Sequence, residues 1–152
     1  MPTILVAIVS GVIALLFAAG LTVRVVKSDQ GNPLMRQICQ SIKEGSFAFM
    51  RREYIALAPF VVVVFAVLWV FIDWLQYDSV LPRTAISYLV GTFTSALAGF
   101  LGMNVAIRAN VRTAASAMKG LNPALRVAFS SGAVMGITVV GLGLLGVTIL
   151  YV

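Results

Sequence analysis

The chain has no histidine, a single cysteine and only five acidic residues, so several common kinds of site are out of reach from the start. Without imidazole there is no histidine base and no histidine ligand for a metal. Cys39 has no partner in the chain, so the fold does not depend on an internal disulfide, and a paired-cysteine zinc site is excluded. The five acids, Asp29, Glu44, Glu53, Asp73 and Asp78, are too scattered to form the close carboxylate group that holds a divalent cation. No Walker A string is present. Charge of either sign is scarce at 11% of residues, against about 25% in soluble domains, and this excludes a water-soluble core.

What the chain has instead is long apolar runs. Residues 1 to 23, 54 to 72, 84 to 107 and 127 to 152 carry no charge and measure 23, 19, 24 and 26 residues. An α-helix rises about 1.5 Å per residue and the hydrocarbon core is about 30 Å thick, so about 20 residues cross it. The pattern predicts an all-α, polytopic transmembrane helical bundle. Its four spans lie at about 3–23, 54–73, 84–107 and 127–150, in one domain covering 1–152. The first run has no basic residue before it and is about twice the length of a secretory h-region, so it reads as a retained span.

The 11 basic residues sort by connection. Segment 24–53 carries Arg24, Lys27, Arg36, Lys43, Arg51 and Arg52; segment 73–83 carries only Arg83; segment 108–126 carries Arg108, Arg112, Lys119 and Arg126. The positive-inside rule makes 24–53 and 108–126 cytoplasmic and both termini external. Topology therefore accounts for the net charge of +6, and no nucleic-acid partner is expected. Trp69, Trp74 and Tyr77, with Asp73 and Asp78 among them, read as an aromatic anchor at the external headgroups.

The connections carry helix punctuation. Asn32 and Pro33 suit an N-cap and first helical position, and Met35, Ile38, Cys39, Ile42 and Phe49 then recur at helical spacing. This predicts an amphipathic cytoplasmic helix before the second span that runs into it and lies along the inner surface. Ala-rich 109–118 extends the third helix past its span, Gly120 suits its C-terminal end, and Asn122 with Pro123 restarts the fourth. Small residues follow helical spacing at Ser87, Gly91, Ser95, Gly99 and Gly102, and again at Ala128, Gly132, Gly136 and Gly143. In lipid such stripes let backbones approach, so both read as packing faces, among the four spans or in a larger assembly.

Every acid and base lies at or beyond a span boundary, which leaves only Asn104 and scattered Ser and Thr as polar residues within. Charge at the bilayer centre costs about 2.5 to 3.5 kcal/mol or more and marks ion paths, so a self-contained small proton-coupled exporter is not expected. Gly141-Leu-Gly143-Leu-Leu-Gly146 matches a GxGxxG string but has no strand before it, and reads as packing glycine.

Four strings occur in order: Ile42-Lys43-Glu44-Gly45-Ser46-Phe47-Ala48-Phe49 running to Glu53-Tyr54; Gly91-Thr92-Phe93-Thr94-Ser95 with Gly99-Phe100-Leu101-Gly102-Met103; Ala109-Asn110-Val111-Arg112-Thr113; and Ser131-Gly132-Ala133-Val134-Met135-Gly136. On these, from about Ile38 to Leu145, the chain resembles the N-terminal portion of the ion-pumping membrane-bound inorganic pyrophosphatases. The resemblance implies a homodimeric, many-span pump that couples hydrolysis of Mg²⁺-bound pyrophosphate to translocation of H⁺ or Na⁺. It also implies that the substrate site comes from Asp-, Lys- and Glu-rich helix ends later in the chain. No catalytic, substrate-binding or metal-binding residue carries over to these 152 positions. The expected reading is therefore an N-terminal piece lacking the catalytic site, whose partners are the lipid bilayer and the remaining pump helices. The apolar end at Tyr151 and Val152 agrees with a chain continuing beyond it. Asn110 with Arg112 is expected to tie cytoplasmic helix ends together, and Arg108 or Arg112 reaching substrate or a neighbouring subunit is the competing role. The alternative for the whole chain is a stand-alone four-span scaffold or accessory subunit of a larger membrane complex.

Overall fold

The computed structural model describes residues 2 to 75 and 83 to 151. They form helices α1 (Pro2–Lys27), α2 (Pro33–Val67), α3 (Arg83–Ala117) and α4 (Leu121–Tyr151), with a π-helical stretch Leu68–Trp74 continuing α2. No strand occurs among the described residues. All four helices are long and apolar enough to cross a membrane.

Local chemistry explains where the helices start and stop. Asn32 sits in extended backbone and its side-chain oxygen accepts from the Met35 amide at 2.8 Å, while Pro33 takes the first helical position, where no amide hydrogen is needed. Gly120 ends α3 at φ +128°, a conformation that side chains with a Cβ rarely adopt, and the amides of Lys119 and Gly120 close the last turn onto Ser116 and Ala117. Helix α4 restarts at Leu121, one residue before Asn122.

The amphipathic helix runs directly into the second span, as its spacing predicts, and has no bend that would lay it along a surface. α2 and its π-helical continuation run unbroken from Pro33 to Trp74, 42 residues in all, and nothing divides the amphipathic part from the apolar part. At about 1.5 Å per residue such a rod is about 60 Å long, twice the hydrocarbon thickness. The reason is local: residues 44 to 54 contain no proline and only one glycine, so nothing in the sequence forces the right-angled bend that a surface-lying segment requires. Pro59 falls deeper, inside the apolar run.

Packing is uneven. α3 lies most extensively against α4, and α4 against α1, with a smaller α1 contact on α3; α2 touches α3 alone and reaches neither α1 nor α4. The small core forms where α1, α3 and α4 converge, from Val25, Val105, Ala109 and Val134, with Leu21 packed against it. α1 and α4 cross at two glycines. A Cβ on Gly11 would stand 2.7 Å from Leu145 Cγ, and one on Gly141 would stand 3.1 Å from Leu15 Cδ2 and 3.3 Å from the Gly11 carbonyl oxygen.

The regular glycine stripe of α4 is not used for packing among these four helices, which leaves the larger-assembly reading of it open. Gly132, Gly136 and Gly143 have nothing within 4 Å of a notional Cβ, and all three are exposed together with Ala128. On α3 the stripe is divided. Gly102 is buried, with Met135 2.7 Å from its notional Cβ, whereas Gly91 and Ser95 are exposed. Spacing reveals that a helix has a smooth face, but the backbone approach is decided by which neighbour arrives.

Candidate functional site

Two buried charges dominate the polar chemistry, and each sits at a helix end. Arg112 belongs to the Ala-rich extension of α3, where the small buried neighbours Ala109 and Ala115 leave room for the end of α1. Its side chain is 5% exposed. Nε donates to the carbonyls of Val26 at 3.1 Å and Ser28 at 3.2 Å, Nη2 donates to Val26 at 2.9 Å, and Nη1 donates to Arg108 one turn back. The last carbonyls of an α-helix lack intrahelical donors and carry about half a negative charge in sum. A buried guanidinium aimed at them satisfies both parties.

The two connections on this side of the molecule are also tied to each other. Asp29 Oδ1 accepts from the Gly31 amide at 3.0 Å, and Asp29 Oδ2 lies 3.6 Å from Lys119 Nζ. The Gly31 amide, helped by the charge of Lys119, holds the Asp29 carboxyl below its ordinary value. Gly31 is required twice over: its φ is +73°, and a Cβ would meet Met35 Sδ at 2.5 Å and Ala115 Cβ at 3.1 Å. The Cys39 thiol sits 3.9 Å from the Ile107 carbonyl oxygen, a weak link between α2 and α3.

Asp73 does the converse near the start of α3. It is 2% exposed, and its two oxygens accept from the amides of Thr84 at 3.1 Å and Ala85 at 3.0 Å. These are orphan donors at the positive end of the helix, where a carboxylate is favoured. The π-helical turns, marked by the Leu75 amide reaching the Val70 carbonyl at 3.2 Å, shift the register by about one residue, roughly 100° of rotation. Asp73 is buried within that stretch while its neighbour Trp74 is exposed. The surface-anchor reading thus fits Trp69 and Trp74, both exposed, but not Asp73; Tyr77 and Asp78 lie outside the described residues. Between the two ends, Tyr54 donates its hydroxyl to the Ala96 carbonyl at 2.9 Å, a further clasp of α2 on α3.

Of the pair expected to tie helix ends together, Arg112 does so and Asn110 does not. Asn110 is exposed in a shallow groove beside Ala128 and Ser131. Arg108 is exposed and donates from Nε to Asn104 Oδ1 at 3.1 Å, one turn away on its own helix. No three potential metal ligands come together among the described residues. Sequence reasoning missed Asp73 as a cap because its partners lie 11 and 12 residues ahead. The available signal was an aspartate closing an apolar run shortly before the next helix start.

Membrane-length helices whose buried charges, among the described residues, neutralise helix ends define a polytopic α-helical integral membrane protein. The chain belongs to the inorganic H⁺ pyrophosphatase family, whose model matches residues 12–152. It is 43% identical over 143 residues to the K⁺-insensitive pyrophosphate-energized proton pump of Methanosarcina mazei, covering 94% of this chain and 20% of that protein. It is 43% identical over 129 residues to the putative K⁺-stimulated pyrophosphate-energized sodium pump of Clostridium tetani, covering 85% of this chain and 18% of that protein. Against the K⁺-stimulated pyrophosphate-energized sodium pump of Thermotoga maritima the identity is 37%, over 91% of this chain and 18% of that protein. The chain thus spans about a fifth of the length of these curated relatives. Its identity to a proton pump and to a putative sodium pump is equal at 43%.

Proposed function

We propose that these 152 residues form the N-terminal membrane domain of a pump that couples hydrolysis of pyrophosphate to translocation of H⁺ or Na⁺, and that the spans lie near 3–23, 54–73, 84–107 and 127–150. The observation that carries this reading is the family match over residues 12–152, at about a fifth of the relatives' length. Family membership favours it over a stand-alone scaffold or accessory subunit.

The domain's role in that reading is architectural. Phosphoryl transfer from pyrophosphate relies on positioning and on Mg²⁺ and cations that neutralise the phosphates. The acids described here do not fit such a metal. Both oxygens of Asp73 are engaged by amides, Asp29 is shared between an amide and Lys119, and Glu44 accepts from Gln40 at 2.9 Å. The metal and substrate therefore belong to helices outside these residues, and those helices pack on the faces left open here. The exposed glycines of α4 and the apolar sides of α2, which meets α3 alone, support that assignment. Homodimerisation is part of the same proposal. So is an orientation with 24–53 and 108–126 cytoplasmic and both ends external.

A chimera tests the assignment: this chain replaces the matched residues of the Methanosarcina mazei pump, and pyrophosphate hydrolysis and ion uptake are followed in vesicles. Both activities are expected to survive, while the 152-residue chain alone turns over no pyrophosphate. A chimera that inserts and assembles but is inactive, or turnover by the chain alone, would overturn it. For orientation, cysteines placed singly at Lys119 and Asp78 in a Cys39→Ser background are labelled with an impermeant maleimide in right-side-out vesicles. Labelling is expected at position 78 only, and the reverse pattern inverts the topology.

A further inference from the structure

A groove of about 990 Å³ opens between the C-terminal end of α1 and the first turns of α4, roofed by the α3–α4 connection. Arg24, Lys119 and Arg126 line it, against the single carboxylate of Asp29. The two arginines hold a particular position in the chain. Arg24 directly follows the charge-free run that ends at residue 23, and Arg126 directly precedes the run that begins at residue 127. Because α1 and α4 pack together, the groove gathers two guanidinium groups at one membrane boundary. Lys119 is paired with Asp29, and neither arginine has an ion-pair partner among the described residues.

We propose that this groove binds one anionic phospholipid of the bilayer, its phosphate held between Arg24 and Arg126. A phosphodiester presents the acceptors that guanidinium forks match, and in water-poor surroundings such charge-assisted bonds are strong. The apolar part of the lining sets a lipid apart from a soluble anion. Leu125, Val127 and Phe129 continue the groove from the cations into the span, and Phe129 is 73% exposed. A free phosphate would use only the charged half, whereas a phospholipid lays its phosphate on the arginines and an acyl chain along Phe129. A zwitterionic lipid brings its own cation to a site already carrying three against one carboxylate, so the anionic class is preferred. The inference rests on this groove facing lipid, and under the proposed function that means the remaining pump helices pack on the other open faces.

The test is native mass spectrometry of the full 152-residue chain, released from micelles doped with equal phosphatidylglycerol and phosphatidylcholine. The wild type is expected to retain one phosphatidylglycerol in preference to phosphatidylcholine. The double variant Arg24→Gln, Arg126→Gln should lose that preference by about tenfold or more, since each basic group near an anionic surface contributes appreciably. The control Arg51→Gln, Arg52→Gln removes two exposed cations from α2 and is expected to change nothing. Equal retention of the two lipids by the wild type would overturn the proposal without any variant having to fold. An equal loss in the α2 control would reduce the effect to net charge and overturn it as well. Displacement of the bound lipid by millimolar inorganic phosphate or pyrophosphate would assign the groove to a soluble anion instead.

Discussion

Replacing Arg112 by glutamine should be among the most destabilising single changes in this chain, and its size follows from the acceptors the guanidinium leaves behind. The carbonyls of Val26 and Ser28 have this side chain as a donor at 2.9 to 3.2 Å, and the residue is buried. An orphaned buried acceptor costs about 1 to 3 kcal/mol, so losing the donors of two gives about 2 to 5 kcal/mol. Arg112→Lys keeps the charge at the helix end but replaces a fork by a point, and should recover about half of that loss. Arg112→Met keeps volume and restores no donor, so it should behave like glutamine. The comparison is Arg108→Gln, one turn away and exposed, where loss of a pair with Asn104 costs less than about 0.5 kcal/mol. Unfolding of the detergent-solubilised chain by a denaturing surfactant, followed by the fluorescence of Trp69 and Trp74, measures all four. If Arg112→Gln lay within about 0.5 kcal/mol of Arg108→Gln, or if Arg112→Met were as stable as the wild type, the helix-end clamp would be refuted.

Three further outcomes are expected. Asp73→Ala removes the acceptor of the Thr84 and Ala85 amides and should destabilise by about 1 to 2 kcal/mol in the same assay, with Asp73→Asn intermediate; a neutral alanine would show that water caps α3 instead. Gly141→Val should disrupt the crossing with Gly11 while Gly143→Val leaves the isolated chain unchanged, and equal effects would mean that the open glycine face is packed after all. Asp29 has a folded-state pKa below its ordinary 3.8, so its contribution is fully present above that value and is lost as the pH falls through the lower folded value. The Gly31 amide resonance should therefore titrate with a midpoint below 3.8, and a midpoint at or above it would contradict the hydrogen bond from Gly31.

What the sequence made legible was whatever is decided within one or two helical turns. The Asn32-Pro33 start, the Gly120 stop and the four apolar runs depend on capping, backbone freedom and transfer from water, all of which act locally. Helical spacing carries α2 into its span, as the structure has it, but amphipathicity suggests a surface and contains no bend; only a helix breaker near residue 50 would supply one. Arg112 was placed near helix ends, yet its acceptors lie 84 and 86 residues earlier, and no local pattern selects them. The glycines show the same limit. Gly11 was passed over in favour of the Gly132, Gly136 and Gly143 series, because regular spacing measures the smoothness of a face and not its occupancy.

The crossing of Gly11 on Gly141 has a consequence for how the protein is made. The first of these four helices to be synthesised has its principal partner in the last, and Gly141 follows Gly11 by 130 residues. At about 5 to 20 residues per second, roughly 6 to 26 s of synthesis separate the two glycines. Throughout that interval α1 must persist in the bilayer without its principal partner, the face around Gly11 turned to lipid or to whatever insertion factor shelters it. Nascent chains arrested before residue 141 should therefore expose α1 to crosslinking with that machinery, and chains released beyond it should not.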